Sequence, residues 1–356
     1  TWHNLHRRYP EVAILIPDTM GRACGGLCVS CQRMYDFQNG HLNFNLEKLE
    51  PTERWPDRLH RLMDYFAEDT QLRDILITGG DALMSRDRSL TTILEAVYRM
   101  ALKKKEANAS RPDGEKYAGM LRVRLGTRLP VYLPQRVTPS LVQVLSRFRE
   151  KASRIGIRQF VIQTHFESAM EITPEVRHAV AMLASAGWTV TNQQVFISGA
   201  SARGHAARLR EVLNDIGVLT YYTFTVKGYK ENHHSFVPNA RVAQEQTEEK
   251  FLGRVPERYH AQIRELPHQA AQIQALIGEL REKAGIPFLA TDRSVMNLPG
   301  VGKSLTFRVI GITRLGRRIL SFDHDHTRRH SPIIHEMGKV TIIESKSIAA
   351  YLRQLE

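Results

Sequence analysis

Val12-Ala13-Ile14-Leu15-Ile16, followed shortly by Cys24-Gly25-Gly26-Leu27-Cys28-Val29-Ser30-Cys31, decides how this chain is read, because a short apolar strand runs into a loop that carries all three cysteines of the sequence. Three thiolates can hold three irons of a [4Fe–4S] cluster and leave the fourth iron open, whereas a closed structural zinc site needs four protein ligands. An open iron is a reactive iron. Two plainer readings stand beside it: three unrelated buried thiols, or a zinc ion completed by a histidine. An odd number of cysteines gathered within eight positions argues against a secreted disulfide scaffold.

Working outward, the same rhythm of a short apolar run and a longer amphipathic stretch recurs. Candidate strands are 12–16, 74–78, 121–125, 159–163, 194–197 and 219–226, with helix-like segments between most of them. Arg58 to Phe66 carries Leu59, Leu62, Met63 and Phe66 at helical spacing, and Pro174 to Ala186 carries Val176, Val180 and Leu183. Six strands in βα alternation predict an α/β fold, a parallel sheet wound into a partial (β/α)6 TIM-like barrel with its chemistry at the C-terminal ends of the strands. The cysteine loop follows the first strand, Gly79-Gly80-Asp81 the second and Lys227 the sixth. Residues 1–228 are assigned to this barrel. Residues 229–285, rich in Glu, Gln, His, Lys and Arg, read as a helical insertion or lid, with helical spacing from Ile263 to Leu280. Residues 286–356 hold a glycine-rich lysine loop and a small β-rich C-terminal appendage with strands at 307–310, 318–322 and 340–343.

The 356 residues suffice for a large core. No apolar stretch approaches the roughly 20 residues that span a bilayer, and no charged-then-apolar leader opens the chain, so a cytoplasmic protein without membrane contact is expected. Thr1 in place of an initiator Met suggests that something preceded it. The net charge of +13 does not by itself indicate nucleic acid, since the basic residues are dispersed and no aromatic-interleaved basic motif accompanies them. The run Lys103-Lys104-Lys105, beside Asn108, Ser110, Pro112 and Gly114, reads as part of a solvated loop.

Cys-x3-Cys-x2-Cys resembles the signature of the radical S-adenosylmethionine superfamily, in which the open iron chelates S-adenosylmethionine and its reductive cleavage yields a 5′-deoxyadenosyl radical. In that superfamily a Gly-Gly-acid segment, matched here by Gly79, Gly80 and Asp81, binds the methionine amino group. Tyr9-Pro10, Gly79 to Leu83, Leu133 to Pro139, Thr164-His165-Phe166 and Asn192-Gln193 are similar, in this order, to the lysine 2,3-aminomutase family, over roughly Arg7 to Arg308. The resemblance implies three cofactors: a [4Fe–4S] cluster on Cys24, Cys28 and Cys31, S-adenosylmethionine, and pyridoxal 5′-phosphate (PLP). It makes Lys303, in Asn297-Leu-Pro-Gly-Val-Gly-Lys303-Ser304, the catalytic Schiff-base lysine. A nucleotide P-loop fails on spacing, because Gly-x4-Gly-Lys-Ser would need glycine where Asn297 stands. Arg8 matches the arginine that binds the cofactor phosphate; a second family arginine falls on Val12, with Arg7 the nearest substitute. Arg33 matches the arginine that clamps the substrate α-carboxylate.

The departures from the family bear on the substrate. Two aspartates that hold the distant ammonium of lysine fall here on Lys227 and Asn297, which inverts the local charge. Facing Lys227, an ammonium meets a like charge, and each loss of about 1.4 kcal/mol costs tenfold in affinity. A second carboxylate instead gains an ion pair and an amide hydrogen bond. The pattern is similar to the glutamate 2,3-aminomutase branch. It implies an isomerase that converts L-glutamate to β-glutamate by radical hydrogen abstraction and 1,2-amino migration, with an electron donor such as flavodoxin or ferredoxin as partner and a homo-oligomeric state. The alternatives are an aminomutase for lysine, arginine or aspartate, and a radical enzyme acting on RNA or on a protein lysine.

Overall fold

In Arg122-Val-Arg-Leu-Gly126 the apolar residues alternate, and in the computed structural model Val123 and Leu125 are buried while Arg122 and Arg124 face the other side. The structure describes residues 4–19, 24–26, 28, 31, 53–200, 202, 204–225, 256–259, 261–262, 272–286, 294–295, 305–324, 340–343 and 347–353. Eight strands form one sheet in the order of the sequence: β1 (Leu5–Tyr9), β2 (Val12–Leu15), β3 (Asp74–Ile77), β4 (Arg122–Gly126), β5 (Gln159–Thr164), β6 (Thr189–Phe196), β7 (Leu219–Thr225) and β8 (Ser294–Val295). β1 runs antiparallel to β2, and every later pair is parallel. The α/β class and the parallel sheet are therefore as expected, while β1 and β8 were not read from the sequence and β6 begins five residues before the expected strand.

Helices α1 (Trp55–Ala67), α2 (Asp87–Ala107), α3 (Pro139–Ser153), α4 (Pro174–Ser185) and α5 (His205–Asp215) fill the crossovers from β2 to β7. α6 (Ile273–Ala284) lies between β7 and β8 in the chain, packs against α5, and buries Ile273, Leu276, Ile277 and Leu280 with Tyr259 and Ile286. Such crossovers are right-handed, and a sheet wound in one direction then collects its helices on one side. One continuous core agrees with this: Ala13, Leu15, Ile75, Ile77, Val123, Leu125, Phe160, Ile162 and Val190 pack with the apolar stripes of α1 to α5. The stripes expected for α1 and α4 are the buried ones. Phe148, Phe160 and Trp188 meet with ring centroids 5.6–6.0 Å apart, and the Trp188 indole donates to the Leu145 carbonyl at 3.1 Å. Such pairs add about 0.5–1.5 kcal/mol beyond their buried area.

The opposite face of the sheet is polar. Asp74 accepts from Arg124 Nε at 2.8 Å, Arg124 reaches Gln163 Oε1 at 3.0 Å, and Arg122 lies 3.5 Å from the second Asp74 oxygen. Each buried charge here has a partner, the condition under which burial of charge is tolerated.

Lys103-Lys104-Lys105 corrects an expectation, for it lies within α2 near its C-terminal end and Lys104 is completely buried, its Nζ donating to the Leu72 carbonyl at 3.0 Å. Lys104 continues the buried stripe Leu90, Leu94, Val97, Met100 and Ala101, and helical phase outweighs composition.

A second sheet, β9 (Leu305–Ile312), β10 (Arg318–His324) and β11 (Val340–Ile343), pairs antiparallel in the order β11-β10-β9 and contains the three tail strands expected from sequence. Helix α7 (Ile348–Leu352) follows. Among the described residues no helix is long and apolar enough to cross a membrane.

Candidate functional site at the strand C-terminal ends

Parallel strands in one sheet end on one side, so the loops after β2, β3, β4 and β5 meet there, and the cysteine loop is among them. Cys24 is exposed, Cys28 and Cys31 are half-buried, and all three are free thiols. The Cys31 amide donates to the Cys28 carbonyl at 2.9 Å, which folds the Cys-x2-Cys segment into a turn.

Two cationic side chains hold Cys28. Arg128, two residues past the end of β4, places Nη1 3.1 Å from its sulfur, and His165, the first residue past β5, places Nδ1 at 3.7 Å. Burial alone would raise the Cys28 pKa, but His165 and Arg128 outweigh it and hold the thiol below its ordinary value. Cys24 is pushed up by burial. His165 pairs with Glu167, and despite desolvation that pair and Cys28 raise its pKa to about 10. Arg128 is fixed in turn by Glu171 at 2.6 Å. Glu171 also accepts from the Glu167 amide at 2.8 Å and closes a capping box with Ser168.

Asp81 sits beneath this cluster and is fully buried. It accepts from the Leu83 amide (3.1 Å), Thr127 Oγ1 (2.5 Å), the Arg128 amide (2.7 Å) and Tyr132 Oη (2.9 Å), so both of its oxygens are occupied. Burial nevertheless raises its pKa. Gly79 has φ of +113°, and a Cβ there would lie 2.5 Å from Ile16 Cγ2; the tight turn suffices to account for this glycine. The Gly-Gly-Asp segment thus joins the turn after β3 to the loop after β4, beside the cysteines.

Among the described residues four buried side-chain atoms have no hydrogen-bond partner: Arg128 Nε, His165 Nε2 and Glu167 Oε2 in this cluster, where His165 and Glu167 are ion-paired, and Gln194 Nε2 on β6. Unmet buried groups are rare and cost about 1–3 kcal/mol each, so they mark a place built for further partners. The donor set fits a cluster with an open iron: free thiols from one loop, with a guanidinium and an imidazolium to offset the charge of bound thiolates. The unmet donors and acceptor beside it fit a polar ligand.

Arg128, Tyr132, His165, Glu167, Glu171 and Gln194 were not among the residues expected to form the site. The signal was available, since Arg128 and His165 follow strands β4 and β5 directly. Of the expected residues, the structure brings together Cys24, Cys28, Gly79, Gly80 and Asp81 on one side of the sheet, and Cys31 follows Cys28 through its turn. Arg8 lies on β1 with its side chain outside the described residues, as do Arg33, Lys227, Asn297 and Lys303 altogether. Arg7, the substitute for a second phosphate arginine, is instead bound by Asp69, the Pro10 carbonyl and Tyr65 Oη.

No protein-family model matches the chain. It is similar to an uncharacterized KamA family protein of Methanocaldococcus jannaschii, 33% identical over 246 residues that make up 69% of this chain and 34% of that protein. An L-lysine 2,3-aminomutase of Fusobacterium nucleatum is 30% identical over 195 residues, 55% of this chain and 37% of that one. A glutamate 2,3-aminomutase of Clostridioides difficile is also 30% identical, over 231 residues, 64% of this chain and 45% of that one. The match therefore spans between a third and a half of the length of these relatives, and the lysine- and glutamate-named proteins stand equally near.

Proposed function

Because the chain is related over two thirds of its length to the KamA family, whose relatives here include lysine 2,3-aminomutases, we propose that it is a radical aminomutase of that family, an isomerase, with glutamate as its substrate. The observation that carries the chemistry is the set of three free cysteines on the side where the parallel strands end, with Arg128 and His165 on Cys28. The partial-barrel architecture is part of the same reading: sequential winding with the helices on one side is the arrangement such barrels need.

Bound together, a [4Fe–4S] cluster with S-adenosylmethionine supplies a one-electron hydrogen abstractor, and PLP supplies a conjugated handle on the amino group. The protein's part is positional. Arg128 and His165 offset thiolate charge at Cys28, and Glu171 and Glu167 hold those two cations in place. Arg33 and Lys227 take the two carboxylates, Asn297 adds an amide donor, Lys303 binds the PLP aldehyde, and Arg8 meets its phosphate; these five roles rest on the sequence. Two cationic anchors fix which carbon-3 hydrogen is presented, and orientation of this kind is worth several kcal/mol of barrier.

The test is anaerobic incubation of the reconstituted protein with PLP, S-adenosylmethionine and a reductant, separately with glutamate, lysine, arginine and aspartate. β-Glutamate is the expected product, and a β-isomer of lysine or arginine in its place refutes the substrate. Lys227→Asp should abolish glutamate turnover, and Lys303→Ala should stop isomerisation while leaving the iron content unchanged. Retained glutamate isomerisation in either variant overturns the role of that lysine.

A further inference from the structure

Gly25 and Gly26 sit inside the loop that spaces Cys24 from Cys28, and neither has a backbone angle in the left-handed range that calls for glycine. Tyr132 crowds the first and touches the second. A Cβ on Gly25 would lie 3.0 Å from Tyr132 Cε2 and 3.4 Å from Cδ2, and a Cβ on Gly26 would lie 3.4 Å from Tyr132 Cε1 and 3.6 Å from Arg128 Cδ. The two bare residues are packed against the ring. Gly26 is held from a second side, for its carbonyl accepts from Arg128 Nη1 at 3.3 Å and its amide lies 3.4 Å from Cys24 Sγ.

The ring is itself aimed. Tyr132 closes a single helical turn, Leu129–Tyr132, and its hydroxyl donates to Asp81 Oδ2 at 2.9 Å. Asp81 is anchored by three more donors and has no freedom to follow a displaced ring. A continuous line of contact runs from the turn after β3, through the tyrosine, to the peptide between two cysteines.

We propose that Tyr132 is a positioning residue for the metal-binding loop: its ring, aimed by Asp81, is the floor on which Gly25-Gly26 lies, and this sets Cys24 at the distance from Cys28 that a cluster requires. The proposal rests on the reading of the three cysteines as cluster ligands. Glycine in the loop and tyrosine beneath it are then a matched pair, so their substitutions are coupled and not additive.

The experiment reads the cluster without S-adenosylmethionine or substrate. Iron and sulfide are reconstituted anaerobically into the whole chain and into Gly25→Ala, Tyr132→Leu and the double variant, and the half-life of the cluster absorbance is measured against a chelator. Gly25→Ala should shorten the half-life at least fivefold beside tyrosine and less than twofold beside leucine, where the floor has been lowered. Equal effects in both backgrounds, or no effect beside tyrosine, overturn the proposal. If Tyr132→Leu does not fold, Tyr132→Phe decides. Loss of the hydroxyl frees the ring from Asp81, so the half-life should fall and the alanine penalty should shrink; if neither changes, the aiming role is refuted. If the wild-type chain takes up no iron, the cluster reading itself has failed. The packing is then still read from the maleimide labelling rate of Cys24, which Gly25→Ala should alter beside tyrosine and leave unchanged beside leucine.

Discussion

Among the described residues Lys104 is a cation without a counter-ion at hydrogen-bond distance: its Nζ donates to the Leu72 carbonyl, and burial lowers its pKa from 10.5 to about 8. Between those values the unfolded chain holds a proton that the folded chain has released, so stability should rise as pH goes from about 8 toward 10.5. Below 8 the folded state bears the full cost, about 3 kcal/mol on a scale of roughly 1.4 kcal/mol per unit. Lys104→Met removes the charge and keeps the length. Urea unfolding should show it more stable than the parent by about 1–2 kcal/mol at pH 7, after allowing for the orphaned Leu72 carbonyl, and should show no rise between pH 8 and 10 from this site. Matching pH slopes in the two proteins would contradict this account. Gly79 is the opposite case, a residue with no room for a side chain: Gly79→Ala combines a positive φ with a Cβ 2.5 Å from Ile16, and should cost more than about 2 kcal/mol in the same measurement.

Helices α3 and α4 begin in the same way, with a threonine whose hydroxyl caps the first turn and a proline just inside: Thr138 accepts from the Leu141 amide at 3.2 Å and Thr173 from the Val176 amide at 3.3 Å. Thr173→Ala should lower stability by about 1 kcal/mol and Thr173→Ser should leave it within a few tenths, measured by chemical denaturation. A loss with serine equal to that with alanine would show that the methyl, and not the hydroxyl, matters. The start signal of α4 was legible for this reason, and its apolar stripe with it. Strand β6 was read late because it opens on Thr189-Val-Thr-Asn192, polar residues by composition. They are buried because their side chains have partners inside: the Thr191 hydroxyl lies 3.5 Å from the Ile162 carbonyl, and Asn192 binds both the amide and the carbonyl of Phe166. β1 and β8 escaped notice because short edge strands owe their pairing to neighbours and not to their own pattern. At the site, the cysteines announced themselves by spacing. Arg128 could be placed past β4 by its position, but its role could not, nor that of Tyr132, because those roles come from Asp81 and Cys28, 47 and 100 residues away from Arg128 along the chain.

Across the whole molecule, the sequential sheet carries its burial in the middle. The contacts of β3 to β6 with α1 to α4 are one continuous core, while β1 and β8 each pair on one side alone among the described strands. Amide hydrogen exchange should therefore be slowest in β3 to β6, approaching the global unfolding limit, and faster by orders of magnitude in β1 and β8. Uniform protection along the sheet would show that its edges are covered by further contacts. Because every crossover returns to the same rim, each loop there hangs from its own pair of strands. The turn after β3 and the sulfur-bearing loop after β2 hang from different pairs, so the residues that follow one strand can be rewritten while those that follow another are kept. An architecture of this kind lets a lineage alter one loop at a time while the frame beneath it stays as it is.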